Sequence, residues 1–494
     1  MRRRPSAAGS LALSLAIAWG SAAPASQGRP PNVVLIVADD LGYAELGCFG
    51  QKLIRTPVLN RLASEGMRLT SFYSGSPVCA PSRCTLMTGK HTGHSYIRNN
   101  GNPPGRVRDD ERGLFPGQNP IPDDEVTLAE LFKRLGYATG AIGKWGLGFE
   151  GSTGDPNRQG FDRFFGYLCQ AHAHNHYPRY LWRDGRQVPL PGNDRGQTGA
   201  IHAQEEFSEE ALRFVREHRD GPFFLYLPFT IPHVSIQAPE QWIARYRGTL
   251  GDDPGWINEN PLGYTSHPTP HAGYAAMVSY LDHEIGRLLG EIDALGLGGD
   301  TIVFFSSDNG PTHGRVGGAD SRYFDSAGPF RGLKGDVYEG GLRVPTIARW
   351  PGRIPGGTAS DAVGYFPDVM PTLLDLAGAP DLVPEDIDGL SLAPTLLGRP
   401  EEQERHEYLY WEFPGYGGQQ AVRLGDWKGV RTDLIRRGDA GTELYNLASD
   451  PTELHDVSGE HPEILGRIER IMAEAREPSP LFPIPVLDAP DDRQ

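Results

Sequence analysis

The stretch VCAPSRCTLMTGKHTGH, residues 78–94, holds two of the four cysteines of the 494-residue chain, five positions apart. Arg83, Lys90, His91 and His94 stand around them. A thiol is a nucleophile, an inert buried group or half of a bridge, and cations beside it suit an anionic partner. Other chemistry-bearing residues close apolar runs. PNVVLIVADD (31–40) ends in Asp39 and Asp40, and TIVFFSSDNG (301–310) ends in Asp308, Asn309 and Gly310. Lys144 ends the run after Gly136, His233 ends FFLYLPFTIPH, and Lys334 lies in FRGLKGDVYEGGLRVP.

Continuous rather than alternating apolar runs predict strands buried on both faces of a parallel sheet. Ligands of such sheets gather beyond the carboxyl ends of the strands, so Asp39, Asp40, Asp308 and Asn309 are expected on one rim. TLAELFKRLGYATGAIGKWG (127–146) reads as a helix, a stop at Gly136 and a strand into Lys144. SEEALRFVREHRDGPFFLYLPFTIPH (208–233) reads as a Ser208-capped helix followed by a strand into His233. Residues 271–296 form a further amphipathic helix. The alternation predicts an α/β fold with a mostly parallel sheet between helices. Past a charged break near 400, HEYLYWEF, QAVRLGDWKGVRTD and TELYNL read as antiparallel strands and HPEILGRIERIMAEAREPS as a closing helix. The expected division is therefore a main domain, 30–400, and a smaller α+β domain, 401–494.

The first residues, MRRRPSAAGSLALSLAIAWGSAAPASQ, have the basic, apolar and small-residue order of a secretory leader, expected over 1–25 with cleavage near Ala23 or Ala25. Export, periplasmic or secreted, follows, with no membrane anchor after cleavage. The net charge of −16 argues against nucleic acid as a partner, while a local basic pocket still allows an anionic substrate. Four cysteines are too few for a disulfide scaffold, and no pairing is legible.

Cys79-Ala80-Pro81-Ser82-Arg83 followed by LMTGK resembles the signature of the type I, formylglycine-dependent sulfatases, members of the alkaline phosphatase superfamily. ADDLGYAELGCFG, GKWGLG, YLPFTIPH, SSDNG, FRGLKGDVYEGGLRVP and ELYNLASDPTELHDV occur in that family's order, so the resemblance spans about residues 30–470. It implies an alkaline-phosphatase-like fold and hydrolysis of a sulfate ester to alcohol and inorganic sulfate. It also implies that a formylglycine-generating enzyme oxidises Cys79 to formylglycine (3-oxoalanine). One hydroxyl of the aldehyde hydrate attacks sulfur, giving a sulfated enzyme, and the second expels sulfate. Asp39, Asp40, Asp308, Asn309 and residue 79 are the implied metal ligands. The hard oxygen donors fit Ca²⁺ or Mg²⁺ rather than Zn²⁺. Arg83 is expected one helical turn from residue 79. Lys144 and Lys334 are expected on sulfate oxygens, and His233 as general acid for the leaving alcohol. Lys90 either supports Arg83 or faces solvent.

One position departs from the resemblance. The family often reads GKWHLG, with a His at the place of Gly146; His91 and His94 are the nearest candidates to replace it. LCQAHAHNHYPRYLWRDG (168–185) alternates His172, His174 and His176 ahead of Tyr177, Tyr180 and Trp182. That pattern reads as a rim for a sugar, with a metal site or a plain loop as alternatives. A sulfated carbohydrate is the expected substrate. The competing readings are a phosphate or phosphonate ester hydrolase on the same scaffold and a carbohydrate-binding protein with a dead site.

Overall fold

The computed structural model describes residues 29–108, 115–259, 263–314, 316–438 and 441–488; the expected leader lies outside them. The main sheet contains β1 (Asn32–Asp39), β2 (Met67–Leu69), β3 (Ala138–Lys144), β4 (Arg163–Tyr167), β5 (Tyr180–Arg183), β6 (Arg186–Pro189), β7 (Phe223–Pro232), β8 (Thr301–Ser307), β9 (Thr346–Arg349) and β10 (Thr358–Ser360). Their spatial order is β10-β2-β9-β8-β1-β7-β3-β4-β5-β6. The central run β8-β1-β7-β3-β4 is parallel, and antiparallel pairing begins at β9 and β5 on its two sides.

Side chains along β1 divide between two cores. Val34, Ile36 and Ala38 enter one, while Val33, Leu35 and Val37 enter the other. A strand buried on both faces has no polar face to display, which accounts for its unbroken apolar run. Helices α1 (Cys79–Thr88), α2 (Leu128–Arg134), α3 (Ala203–Glu217) and α4 (Pro270–Ala294) accompany the sheet. Thr127 and Glu130 form a reciprocal capping box that starts α2, and Gly136, at φ +80°, makes the turn into β3.

Helix α3 starts earlier than its sequence suggests. Its cap is His202, whose Nδ1 accepts from the Gln204 N–H at 3.2 Å, and Ser208 lies inside the helix with its hydroxyl on the Gln204 carbonyl. Ser208 loses the cap because Phe207 and Ala203 are themselves needed in the core. The His202 Nε2 lies 3.2 Å from the Gln237 carbonyl, so the neutral ring uses both nitrogens. Burial, then the neighbouring His176, pulls His202 down to about 3. The unfolded chain therefore binds a proton between pH 6.5 and 3 that the folded chain refuses, and stability is lost as pH falls through that window. Going from pH 6.5 to 5 costs about 2 kcal/mol for such a group. His91 and His176, held at about 4, act with the same sign. We expect Tm to fall between pH 7 and pH 5, and His202→Gln to flatten the fall; an unchanged slope would count against this assignment.

The C-terminal strands β11 (Leu409–Phe413), β12 (Gln419–Leu424), β13 (Trp427–Arg431) and β14 (Glu443–Asn446) form an antiparallel sheet in chain order, backed by α5 (Pro462–Glu474). Lys428, fully buried, joins Glu339 and Glu453 at 2.9 Å each, and the Trp411 indole N–H donates to the Ser74 carbonyl. Among the described residues no helix is long and apolar enough to cross a membrane.

Candidate active site

β1 and β8 run parallel with Ala38 opposite Ser307, so their carboxyl ends bring Asp39 and Asp40 beside Asp308 and Asn309. The Asp308 N–H donates to the Ala38 carbonyl at 3.0 Å, and the Asp40 N–H to Asp308 Oδ1 at 3.1 Å. Asp40 turns out of the strand at φ +64°, a conformation that aspartate tolerates better than most residues.

Helix α1 begins at Cys79, so its N-terminus, whose Ala80 N–H donates to Asn100 Oδ1 at 3.0 Å, lies at the same place, a setting that favours anions. The Cys79 Sγ is 3.5 Å from Asp39 Oδ1 and 3.4 Å from Lys334 Nζ. One turn on, Arg83 donates twice to Asp308 Oδ2, at 3.1 and 2.6 Å, and once to the Lys144 carbonyl at 2.7 Å. Lys144 Nζ is 2.6 Å from Asp39 Oδ2, and Lys334 Nζ is 2.7 Å from Asp40 Oδ1. All these groups are buried. Carboxylates and cations therefore alternate, which is the arrangement that offsets the cost of burying charge.

The ionisation states follow from that packing. Burial opposes the charge on Asp39 and Asp40, but Lys144 and Lys334 respectively hold them well below the usual carboxylate range. Burial and then Asp39 raise Asp308 to about 6. Burial and then Asp39 also push the Cys79 thiol up to about 12, so an unmodified thiol there is protonated at neutral pH. His233 falls to about 3 through burial and then Lys334. Its Nδ1 contacts the Val234 carbonyl, and its Nε2 is 3.6 Å from Asp40 Oδ2.

A cavity of about 410 Å³ opens over this cluster, lined by Asp40, Cys79, His174, His233 and Lys334. Asn100, Gln170, Tyr264, Thr312, His313 and Tyr416 also line it, with Val234 and Val316, and the sequence reading missed all eight. Thr312 and His313 come just after SSDNG, past Pro311, and could have been found on that ground; Tyr264 and Tyr416 come from distant loops with no local signal.

Several expected residues sit elsewhere. Lys144 does not line the cavity, because its ammonium is taken up behind Asp39. Lys90 pairs with Glu125 and Asp386. His91 and His94 stack on one another and meet Asp388, with the His94 Nδ1 at 2.9 Å from Asp388 Oδ1. Helix α1 and the left-handed turn at Gly89 carry them away from Cys79, so they do not stand in for a side chain at 146. The three-histidine rim is also corrected. His174 lines the cavity and stacks on His233 at 4.8 Å. His172 is buried against Phe115, Tyr167 and Tyr180, and His176 is buried with Nε2 2.9 Å from the His233 carbonyl. Alternation shares a face only in an extended chain. Residues 172–174 form a 3₁₀ turn, so the rings diverge. All four cysteines are free.

The donor set fits a hard divalent cation. The Asn309 Nδ2 donates to Asp40 Oδ1 and the Gly310 carbonyl, leaving its buried Oδ1 with no partner among the described residues. That oxygen and the Asp39, Asp40 and Asp308 carboxylates are ligands of the type Ca²⁺ takes. Ligand atoms of Asp39, Asp40, Cys79 and His233 lie within 4.8 Å of one another.

Comparison with known proteins shows the family. The sulfatase family model matches residues 31–379, and the model described as N-sulphoglucosamine sulphohydrolase, C-terminal, matches 333–477. Steryl-sulfatase of Mus musculus is 33% identical over 85% of this chain and 74% of its own length. N-acetylgalactosamine-6-sulfatase of Homo sapiens is 30% identical over 91% of this chain and 86% of its own. The crystal structure of Ps i-CgsB superposes with a TM-score of 0.72 at 27% identity, covering 91% of this chain and 93% of that one. Metal-type oxygen donors, a buried residue 79 at a helix N-terminus and flanking cations thus occur on a matching sequence and fold, and the chain belongs to the sulfatase family, whose members are sulfuric ester hydrolases.

Proposed function

We propose that this protein removes sulfate from a sulfated carbohydrate outside the cytoplasm, using residue 79 in its formylglycine form. The observation that carries the reading is the convergence of Cys79, Lys334, His233 and Asp40 on one cavity. As formylglycine hydrate, residue 79 would supply one hydroxyl for attack on sulfur and a second for release of sulfate. A Ca²⁺ or Mg²⁺ held by Asp39, Asp40, Asp308 and Asn309, with residue 79 beside them, would supply Lewis-acid polarisation of a sulfate oxygen.

The side chains of this protein do the rest. Lys334 faces the cavity and holds a sulfate oxygen while charge builds on it. Lys144 acts from behind, fixing Asp39 and countering its charge. Arg83 clamps Asp308 and ties it to the end of β3. His233 protonates the leaving oxygen as imidazolium, a form that a neighbouring substrate anion favours. His176 holds the His233 backbone, and His174 stacks on its ring.

Carbohydrate is supported by the polar wall of Asn100, Gln170, His174 and His313 interleaved with Tyr264 and Tyr416. Two relatives point the same way: one is an N-acetylgalactosamine-6-sulfatase, and Ps i-CgsB has been solved in complex with k-i-k-neocarrahexaose. Maturation by a formylglycine-generating enzyme, export through the 1–25 leader, and a boundary near 400 between the two domains belong to the same reading. Protein matured in the presence of that enzyme should yield a 69–83 peptide whose residue 79 reacts with a carbonyl reagent, seen by mass spectrometry. The same sample should release sulfate from an aryl sulfate far faster than phosphate from the matched aryl phosphate. An unmodified thiol, or phosphate released faster, would overturn the proposal.

A further inference from the structure

Gln170 is 5% exposed and lines the cavity, yet neither its Nε2 nor its Oε1 has a hydrogen-bond partner among the described residues. Burying an unsatisfied amide is unfavourable, so such a group is expected to find its partners elsewhere. The amide occupies space that residue 146 leaves free. A Cβ on Gly146 would sit 2.1 Å from Gln170 Nε2 and 3.3 Å from Gln170 Cδ, while the nearest atom of another residue, Arg83 Cδ, is 3.8 Å away. Gly146 also sits at φ +86°, which suits glycine. Gly146 and Gln170 are therefore matched: the missing side chain at one position is what lets the other point its amide into the site.

We infer that Gln170 is a specificity-determining residue that hydrogen-bonds a hydroxyl on the alcohol part of the substrate, next to the sulfate ester. This deepens the sulfatase reading and rests on it. The chemistry of the amide selects the ligand. Both ends are buried and unpaired, so the partner must accept from Nε2 and donate to Oε1 at close spacing. A hydroxyl does both. A sulfate group only accepts, and would leave Oε1 facing an anion. The amide is neutral and does not titrate near neutrality, so it contributes recognition rather than proton transfer. A site that hydrogen-bonds a hydroxyl discriminates strongly against an analogue that lacks one.

The test compares 4-nitrophenyl sulfate, whose alcohol part carries no hydroxyl, with a panel of hexose and N-acetylhexosamine monosulfates. For Gln170→Leu, kcat/KM for the best sugar sulfate should fall about 10- to 100-fold further than for 4-nitrophenyl sulfate. Gly146→Ala should shift selectivity the same way by displacing the amide, and should add little in the Gln170→Leu background. Equilibrium binding gives a readout without turnover: in a Cys79→Ala background, Gln170→Leu should weaken the sugar sulfate by a similar factor. Equal losses on both substrates, unchanged sugar binding, or a wild-type protein that hydrolyses 4-nitrophenyl sulfate but no sugar sulfate would each overturn the inference alone. Wild-type protein inert toward every sulfate ester would instead overturn the reading beneath it.

Discussion

Replacing Cys79 by Ala should lower sulfate release by about 10⁴-fold or more, as expected when a nucleophile is removed from a site whose other groups remain. The fold should survive. Cys79 is the first residue of α1, an alanine is tolerated there, and Lys334 keeps its 2.7 Å contact with Asp40. The loss should therefore appear in kcat with Tm nearly unchanged. The reasoning is specific to position 79. Cys84, in the same helix and also buried, touches none of the carboxylates, and Cys84→Ala should retain most of the turnover. Substantial sulfate release by Cys79→Ala would remove residue 79 from the chemistry.

Asp308→Ala should have the second largest effect, and it should show in three measurements at once. The bound-metal content measured on gel-filtered protein should drop, because one of the four hard oxygen donors is gone. Sulfate release should fall by about 10³-fold or more. Stability should also fall, since Arg83 loses both hydrogen bonds to Asp308 while keeping the Lys144 carbonyl and Asp39 Oδ2 at 3.6 Å. Breaking a buried pair by removing one partner costs about 3–5 kcal/mol. Asp308→Asn separates these effects. It retains an acceptor for the Asp40 N–H and much of the packing while losing the charge. Full metal content and normal turnover in folded Asp308→Ala would take Asp308 out of the ligand set.

The sequence by itself determined which residues could meet. Unbroken apolar runs force β1 and β8 into the middle of a sheet covered on both faces, and parallel strands share a carboxyl end, so Asp39, Asp40, Asp308 and Asn309 had to reach one rim. The helix that follows Thr127, the Gly136 turn and the antiparallel C-terminal strands were legible for the same reason: each depends on residues close in sequence. Only the tertiary structure decided which atoms face the cavity. Lys144 went behind Asp39 because two buried charges at 2.6 Å need one another more than either needs the open space. His172, His174 and His176 separated because a 3₁₀ turn rotates side chains that a strand would have aligned. His91 and His94 left the site because α1 and the left-handed Gly89 carry them to Asp388. Gly146 reads in the sequence as a missing side chain. In three dimensions it is the space into which Gln170 fits, and close approach between segments 24 residues apart leaves no mark in either one alone.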